Sequence, residues 1–232
     1  LRTVQREMEV LQQYRHLNIV RLLAYHIPPT DIPSGAEGGD RHVCVVYEYL
    51  DRGDLSEALL KDETAALMDW KVRLRVLCGA ARGLNYMHSG DATRATFHRD
   101  VKSANICLTA ELTAKLIDCG LAKFIESGSG EGAGAGAGAG KAASKYGSIA
   151  SMTSQRFGTP GYMCPRYCSD GVYDAKSEVY SFGMVMLEVL TGRAQHRSGQ
   201  DLYLVFIEDE DEDMAAAADA RAGAWPEELV AG

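Results

Sequence analysis

The sequence predicts an α+β chain, and three observations carry that expectation. Apolar residues recur at helical spacing through residues 3–15, 70–88 and 177–190. Short β-branched runs, above all His42 to Leu50 (HVCVVYEYL), read as strands closed by turn residues. Pro- and Gly-rich stretches such as 28–40 (PPTDIPSGAEGGD) separate the two kinds of element.

Each element follows from its own pattern. Residues 3–15 place Val4, Met8 and Leu11 on one face with charged residues between, an amphipathic helix. HLNIVRLLAY then turns into a β-branched, leucine-rich strand that ends before Pro28 and Pro29. Trp70 to His88 reads as a long helix with Val72, Val76, Leu77, Ala80, Ala81, Leu84 and Met87 on its apolar side. Short strands flank FHRDVKSANICL (97–108) and TAKLIDCGLAKF (113–124). Residues 127–140 are Gly-Ala repeats with the composition of a flexible loop. Ser177 to Leu190 is apolar nearly all round and predicts a helix buried at the centre of a domain.

Charge excludes one broad class. The 232 residues hold 24 basic and 32 acidic side chains, a net charge of −8. The run Glu208 to Asp213 carries six of the excess negative charges, so the rest of the chain stands at −2. A nucleic-acid binder needs clustered Lys and Arg to displace counterions, so no nucleic-acid partner is expected. The longest apolar stretch, Phe182 to Leu190, is half a bilayer span and contains Glu188, so no membrane contact is expected within this chain. Cysteines 44, 78, 107, 119, 164 and 168 form no CxxC pair and sit among apolar neighbours, which reads as buried free thiols in a reducing, cytoplasmic compartment. The chain opens on Leu1 with no signal-peptide pattern, and is expected to be a piece of something longer.

The chemistry-bearing motifs come in a fixed order. His98-Arg99-Asp100 is followed five residues later by Asn105, and thirteen residues on by Asp118-Cys119-Gly120 between a strand and a loop. GTPGYMCPR (158–166) and KSEVYSFGMVMLEVLTGR (176–193) complete the series. Together these four elements resemble the catalytic half of a eukaryotic protein kinase over residues 1–207. HRDVKSAN, GTPGYM and VYSFGMVMLEVLTGR resemble the tyrosine-kinase-like serine/threonine group, and within it the plant receptor-like and interleukin-receptor-associated (Pelle) kinases.

That resemblance implies a bilobal kinase fold cut at both ends. Residues 1–50 would be an N-lobe remnant and 51–207 a mainly helical C-lobe lacking its last helices. The activation loop would be extended at about 127–156, with 208–232 an acidic and Ala-rich tail. It also implies ATP and Mg²⁺ as cofactors, protein substrates with Ser/Thr acceptors, and an upstream receptor or adaptor as partner. A pseudokinase scaffold is the alternative. Asp100 would align the substrate hydroxyl, Lys102 would neutralise the transferred phosphate, and Asn105 and Asp118 would supply hard oxygens to the metal. Lys102 and Thr159 imply serine/threonine specificity.

By the same resemblance Glu7, with Glu9 as rival, pairs with the ATP-holding lysine. Tyr47 is the gatekeeper, Glu48 and Leu50 belong to the adenine-binding hinge, Asp54 reaches the ribose, and Cys107 forms the adenine floor. Arg99 and Lys123 make a basic pocket for an activating phosphate, carried by Thr153 or Ser154. No Gly-rich loop or strand lysine precedes Glu7, so the fragment by itself is expected to be inactive. Three departures stand out: Cys119 where Phe normally packs between His98 and Leu11, Glu178 where an Asp accepts catalytic-loop hydrogen bonds, and Arg166 where a Glu pairs with a buried Arg. The first is expected to leave a cavity, and the third a buried unpaired charge.

Overall fold

The computed structural model describes residues 2–28, 42–91, 93–126, 150–195 and 214–230. The Gly-Ala tract, nearly all of the Pro/Gly-rich loop at 28–40 and the acidic run at 208–213 lie outside the described residues.

Helix α1 (Arg2–Gln13) turns Met8, Val10 and Leu11 inward, and Tyr14 follows them into the core. Each such side chain stabilises by roughly 1.5–3 kcal/mol through loss of water contact. Strands β1 (Leu22–His26) and β2 (Cys44–Tyr47) pair antiparallel, with Leu22 opposite Tyr47 and His26 opposite Cys44. Between α1 and β1 the chain presses against α4 (Trp70–Ser89). A Cβ at Gly83 would lie 2.7 Å from the Asn18 carbonyl oxygen, so only glycine admits this approach. The Asn18 amide fixes the contact by donating to the Ala114 carbonyl at 2.8 Å.

Asp54 caps α2 (Leu55–Leu60) by accepting from the Glu57 amide, and α3 (Asp62–Ala65) follows. Asp69 caps α4 in the same way through the Val72 amide. Strand β3 (Arg94–Phe97) pairs with β6 (Lys123–Glu126), and β4 (Ile106–Leu108) with β5 (Ala114–Leu116). Strand β7 (Ala150–Met152) pairs with β8 (Val172–Asp174), which frames the short helix α5 (Pro165–Asp170). A capping box between Asp174 and Ser177 starts α6 (Ala175–Thr191), and Gly192 ends it at φ 64°.

The main core joins α1, α2, α4, β4, β5 and α6 through residues such as Val76, Leu84, Ile106, Leu116, Val185 and Val189. A smaller aromatic cluster of Phe97, Tyr167 and Tyr173 lies below the 98–100 segment, with edge contacts at 5.9 and 4.9 Å between ring centres.

Several expectations are corrected. Helix α6 is not buried all round: Val179 and Met186 are exposed, and the core takes its Met184, Val185 and Val189 side. Cys44, Cys78 and Cys168 are exposed, because their strand and helix positions point away from the core. Residues 214–230 are no detached tail. After α7 (Met214–Ala217), the Asp219 carboxylate is 2.7 Å from Nη2 of the fully buried Arg73, and Arg221 reaches Asp62 at 2.8 Å and the Leu59 carbonyl at 2.9 Å. Helix α8 (Glu227–Val230) follows and buries Val230. Arg166 is exposed, with its guanidinium 3.3 Å from Asp174, so no charge is buried unpaired there. Among the described residues no helix is long and apolar enough to cross a membrane.

Candidate active site

The site is built on the segment that leaves β3. His98, fully buried, holds the Ile117 carbonyl at 2.9 Å through Nε2, while its Nδ1 accepts from the Asp100 amide at 3.3 Å. Arg99 then takes φ 70°, a left-handed conformation uncommon outside glycine. Glu178 of α6 holds it there by accepting the Arg99 amide at 2.7 Å through Oε1. The same carboxylate takes hydrogen bonds from His88 and from the Tyr173 hydroxyl. The extra methylene of Glu178 has not cost the backbone contact.

Asp100 stands at the centre of a closed set. Oδ1 accepts from the Thr159 hydroxyl at 2.7 Å, and Oδ2 accepts from Lys102 Nζ at 2.8 Å and Asn105 Nδ2 at 2.9 Å. Lys102 Nζ also donates to Thr159 Oγ1 at 2.8 Å. Burial alone would raise the Asp100 pKa. Hydrogen bonds from Lys102 and Thr159, with the Lys102 charge, outweigh it and hold the carboxyl below the usual value.

Asn105 spends its amide nitrogen on Asp100, since Nδ2 also donates to the Asp100 carbonyl at 2.8 Å. The amide oxygen is the atom suited to a cation. The Ile117 amide donates to the Asn105 carbonyl at 3.0 Å, so Asn105 and Asp118 leave the same end of the β4–β5 hairpin. Asp118 adopts φ 59° and opens the turn Cys119–Leu121. Two hard oxygens at one end of a hairpin fit Mg²⁺, which keeps waters and shares phosphate oxygens. They do not make an all-protein cage, and among the described residues no group of three or more His, Cys, Asp or Glu could hold a metal.

Helix α1 brings Glu7 to the same region, half-buried, whereas Glu9 faces solvent and pairs with Arg6 at 2.8 Å. The Tyr47 hydroxyl hydrogen-bonds the Glu7 carboxylate. Burial raises the Glu7 pKa and the Asp118 charge adds to it, against the opposing effects of Tyr47 and His98. Cys119 is fully buried among the core residues that include Leu11. Next to it, a Cβ on Gly120 would fall 2.6 Å from Thr3 Cγ2, so α1 lies directly against this turn.

Beyond β2, Leu50 packs on the core, and the Arg52 amide donates to the Leu108 carbonyl at 3.1 Å. Cys107 is half-buried, its thiol raised to about 11 by burial and then by Asp54. Asp54 sits across a β-bridge from Cys107, but its Oδ1 is engaged in capping α2. Glu48 is held by contacts outside the candidate site. Its side chain turns to Lys115 Nζ at 2.9 Å and the Arg21 amide at 2.7 Å, and its own amide donates to the Arg21 carbonyl, leaving only its carbonyl for a ligand.

Arg99 and Lys123 come close enough for the Arg99 charge, after burial, to lower the Lys123 pKa. The Arg99 guanidinium lies over the Phe157 and Tyr173 rings and donates to the Tyr167 hydroxyl at 3.2 Å. Thr153 donates its hydroxyl to the Gln155 carbonyl at 2.7 Å, and Ser154 is exposed. Arg156, unremarked in the sequence, binds the carbonyls of Thr153, Cys168 and Ser169 and so ties this segment to the end of α5.

Sequence reasoning also missed the clamp on the 158–166 loop. The buried Tyr162 hydroxyl donates to Glu188 at 2.8 Å, Ser181 Oγ donates to the Tyr162 carbonyl at 2.7 Å, and the Gln195 amide donates to Glu188 at 3.1 Å. Its one visible signal was a lone acidic residue, Glu188, inside an apolar helix.

A lysine–aspartate–asparagine loop facing a left-handed aspartate has the motif order of the protein kinase class. A sequence model described as the protein kinase domain matches residues 1–226, and the chain belongs to that family. It is 37% identical over 187 residues to probable serine/threonine-protein kinase PBL8 of Arabidopsis thaliana, covering 81% of this chain and 38% of that protein. It is 37% identical to PBL3, covering 81% and 36%, and 32% identical to cysteine-rich receptor-like protein kinase 29, covering 84% and 24%, both from the same plant. The chain thus spans less than two fifths of each of these relatives.

Proposed function

We propose that this chain carries the catalytic loop and activation segment of a serine/threonine protein kinase that transfers the γ-phosphate of ATP to hydroxyls of protein substrates. The observation that carries the reading is the closed Asp100–Lys102–Thr159 set, with Asn105 completing the ring of donors around one carboxylate.

Asp100 accepts the hydrogen bond of an incoming Ser or Thr hydroxyl and orients its oxygen for in-line attack. With its pKa held low, Asp100 acts as an ionised acceptor, not as a strong base. Lys102, already aimed at the same point, balances negative charge on the phosphoryl group in flight. Asn105 and Asp118 would hold Mg²⁺ through their oxygens. When bound, such a metal would supply Lewis-acid neutralisation of phosphate charge at the end of the hairpin where Asn105 and Asp118 meet. Leu50, Cys107 and the carbonyl of Glu48 would line the adenine side, and Asp54 the ribose side. Arg99 and Lys123 would receive a phosphate on Thr153 or Ser154, ordering the segment that Arg156 anchors. Relatives named as a receptor-like protein kinase and a probable serine/threonine-protein kinase support an upstream receptor or adaptor, and a cytoplasmic setting goes with that reading.

The test is radiolabelled phosphate incorporation by the full-length protein with Mg-ATP and a mixed protein substrate. Asp100→Asn is expected to lower the rate about 10²–10⁴-fold. Equal rates in the two proteins would remove the enzyme reading and leave a scaffold.

A further inference from the structure

A cleft of about 390 Å³ opens where the end of α1, the start of β1 and the back of the hinge meet, and no residue of the 98–105 loop lines it. That volume falls within the range of about 300–1,000 Å³ for small-molecule sites. Ile19, Val20 and Leu11, all buried, give it an apolar wall. Arg15 and Arg21 stand exposed at its edge, and Lys115 lines it at 8% exposure. The only carboxylate in the lining is Glu48, whose Oε1 is taken by Lys115 Nζ and the Arg21 amide.

Three cations against one acid leave an excess charge of +2 in the lining. Lys115 also acts on a neighbouring ring. His16, also in the lining, stacks on Tyr86 at 4.8 Å and accepts from the Asn18 amide through Nδ1. Burial lowers its pKa first, and the positive charges of Lys115 and Arg82 lower it further. With Glu48 taken by Lys115, the excess positive charge of the lining is that of Arg15 and Arg21, and beside an apolar wall it suits an organic anion. Guanidinium forks match phosphate oxygens geometrically, and a phosphomonoester dianion matches the excess charge.

We propose that this cleft is a binding site for a small-molecule phosphomonoester carried on an apolar or aromatic body, distinct from the phosphoryl-transfer site. The phosphate meets Arg15, Arg21 and Lys115, and the body lies against Ile19 and Val20. The inference stands on the cleft alone and does not depend on catalysis.

The test uses phenyl phosphate, inorganic phosphate and phenol as probes of the chain, followed by calorimetry and by the NMR signals of the His16 ring. Phenyl phosphate is expected to bind more tightly than either other probe. It should raise the His16 midpoint by about half a pH unit or more, because a nearby dianion favours the imidazolium. Arg15→Gln with Arg21→Gln, both at exposed positions, should weaken phenyl phosphate about tenfold or more. Phenol binding as well as phenyl phosphate, inorganic phosphate binding as well as phenyl phosphate, a double variant with unchanged affinity, or a His16 midpoint that stays put at saturation would each overturn the proposal.

Discussion

The carboxylate of Glu178, buried in α6, accepts the backbone amide of Arg99 at 2.7 Å, and Arg99 is the residue whose left-handed φ of 70° aims Asp100. A helix glutamate thus maintains a strained turn one residue away from the proposed catalytic carboxylate. Backbone held in such a region costs on the order of 1–3 kcal/mol and persists only when its surroundings over-determine it.

Removing that support is expected to be expensive. Glu178→Ala leaves the Arg99 amide and His88 without their shared acceptor and should lower stability by about 3–5 kcal/mol. Glu178→Gln keeps an acceptor for the amide and should lose about 1–3 kcal/mol. Urea unfolding of the chain measures both, and an alanine variant within experimental error of wild type would show that the turn stands without Glu178.

Thr159 positions Asp100 and Lys102 together through one hydroxyl. Thr159→Val should reduce phosphorylation by the full-length protein about tenfold or more, whereas Thr159→Ser should restore most of it. The comparison reads turnover at saturating ATP, and a serine variant as poor as valine would count against the hydroxyl as the operative group.

Asp100 has a carboxyl held below its ordinary 3.8, so the folded chain favours its ionised form. Its contribution to stability is present above that value and is lost as pH falls through the lower, folded value. Asp100 should therefore impose no acid limb on the activity of the full-length protein above about pH 4. Carbon-13 NMR of the side chain checks the midpoint directly, and one above 3.8 would contradict the hydrogen-bond account.

Tyr47 and Glu7 offer a second titration. The Tyr47 hydroxyl opposes the rise that burial imposes on Glu7, so Tyr47→Phe should move the Glu7 midpoint further upward. As pH rises between the unfolded and folded midpoints, a carboxyl of this kind withdraws stability, and the variant should widen that window. NMR titration of Glu7 in both proteins decides it.

Arg73 is fully buried and shares Asp219 with Arg221. Asp219→Ala leaves the Arg73 charge without its carboxylate and should cost about 3–5 kcal/mol, seen as a lower urea midpoint. An unchanged midpoint would return residues 214–230 to the status of an appendage.

Much of this was legible from short-range pattern. Periodicity found α1, α4 and α6, and the resemblance pointed to Asp100, Lys102, Asn105 and Thr159, which meet around one carboxylate, because these depend on local sequence. What stayed hidden is set by contacts distant along the chain. Nothing near Asp219 announces Arg73, 146 residues away, and the composition around it reads as a tail. Glu48 follows directly on β2, and its direction is decided by Lys115, 67 residues on. Arg166 looked costly only on the assumption that its position is buried, and solvent access at the start of α5 removes that cost.

The contact between Gly120 and Thr3 has a mechanical meaning. With a methyl group excluded by the 2.6 Å approach, the first turn of α1 and the turn after Asp118 are geared like meshed teeth. A tilt of the helix is therefore expected to reach Asp118, two residues from the contact. Glu7 and Asp118 then move as a single coordinate, and widening that tooth with Gly120→Ala would be felt at both carboxylates at once.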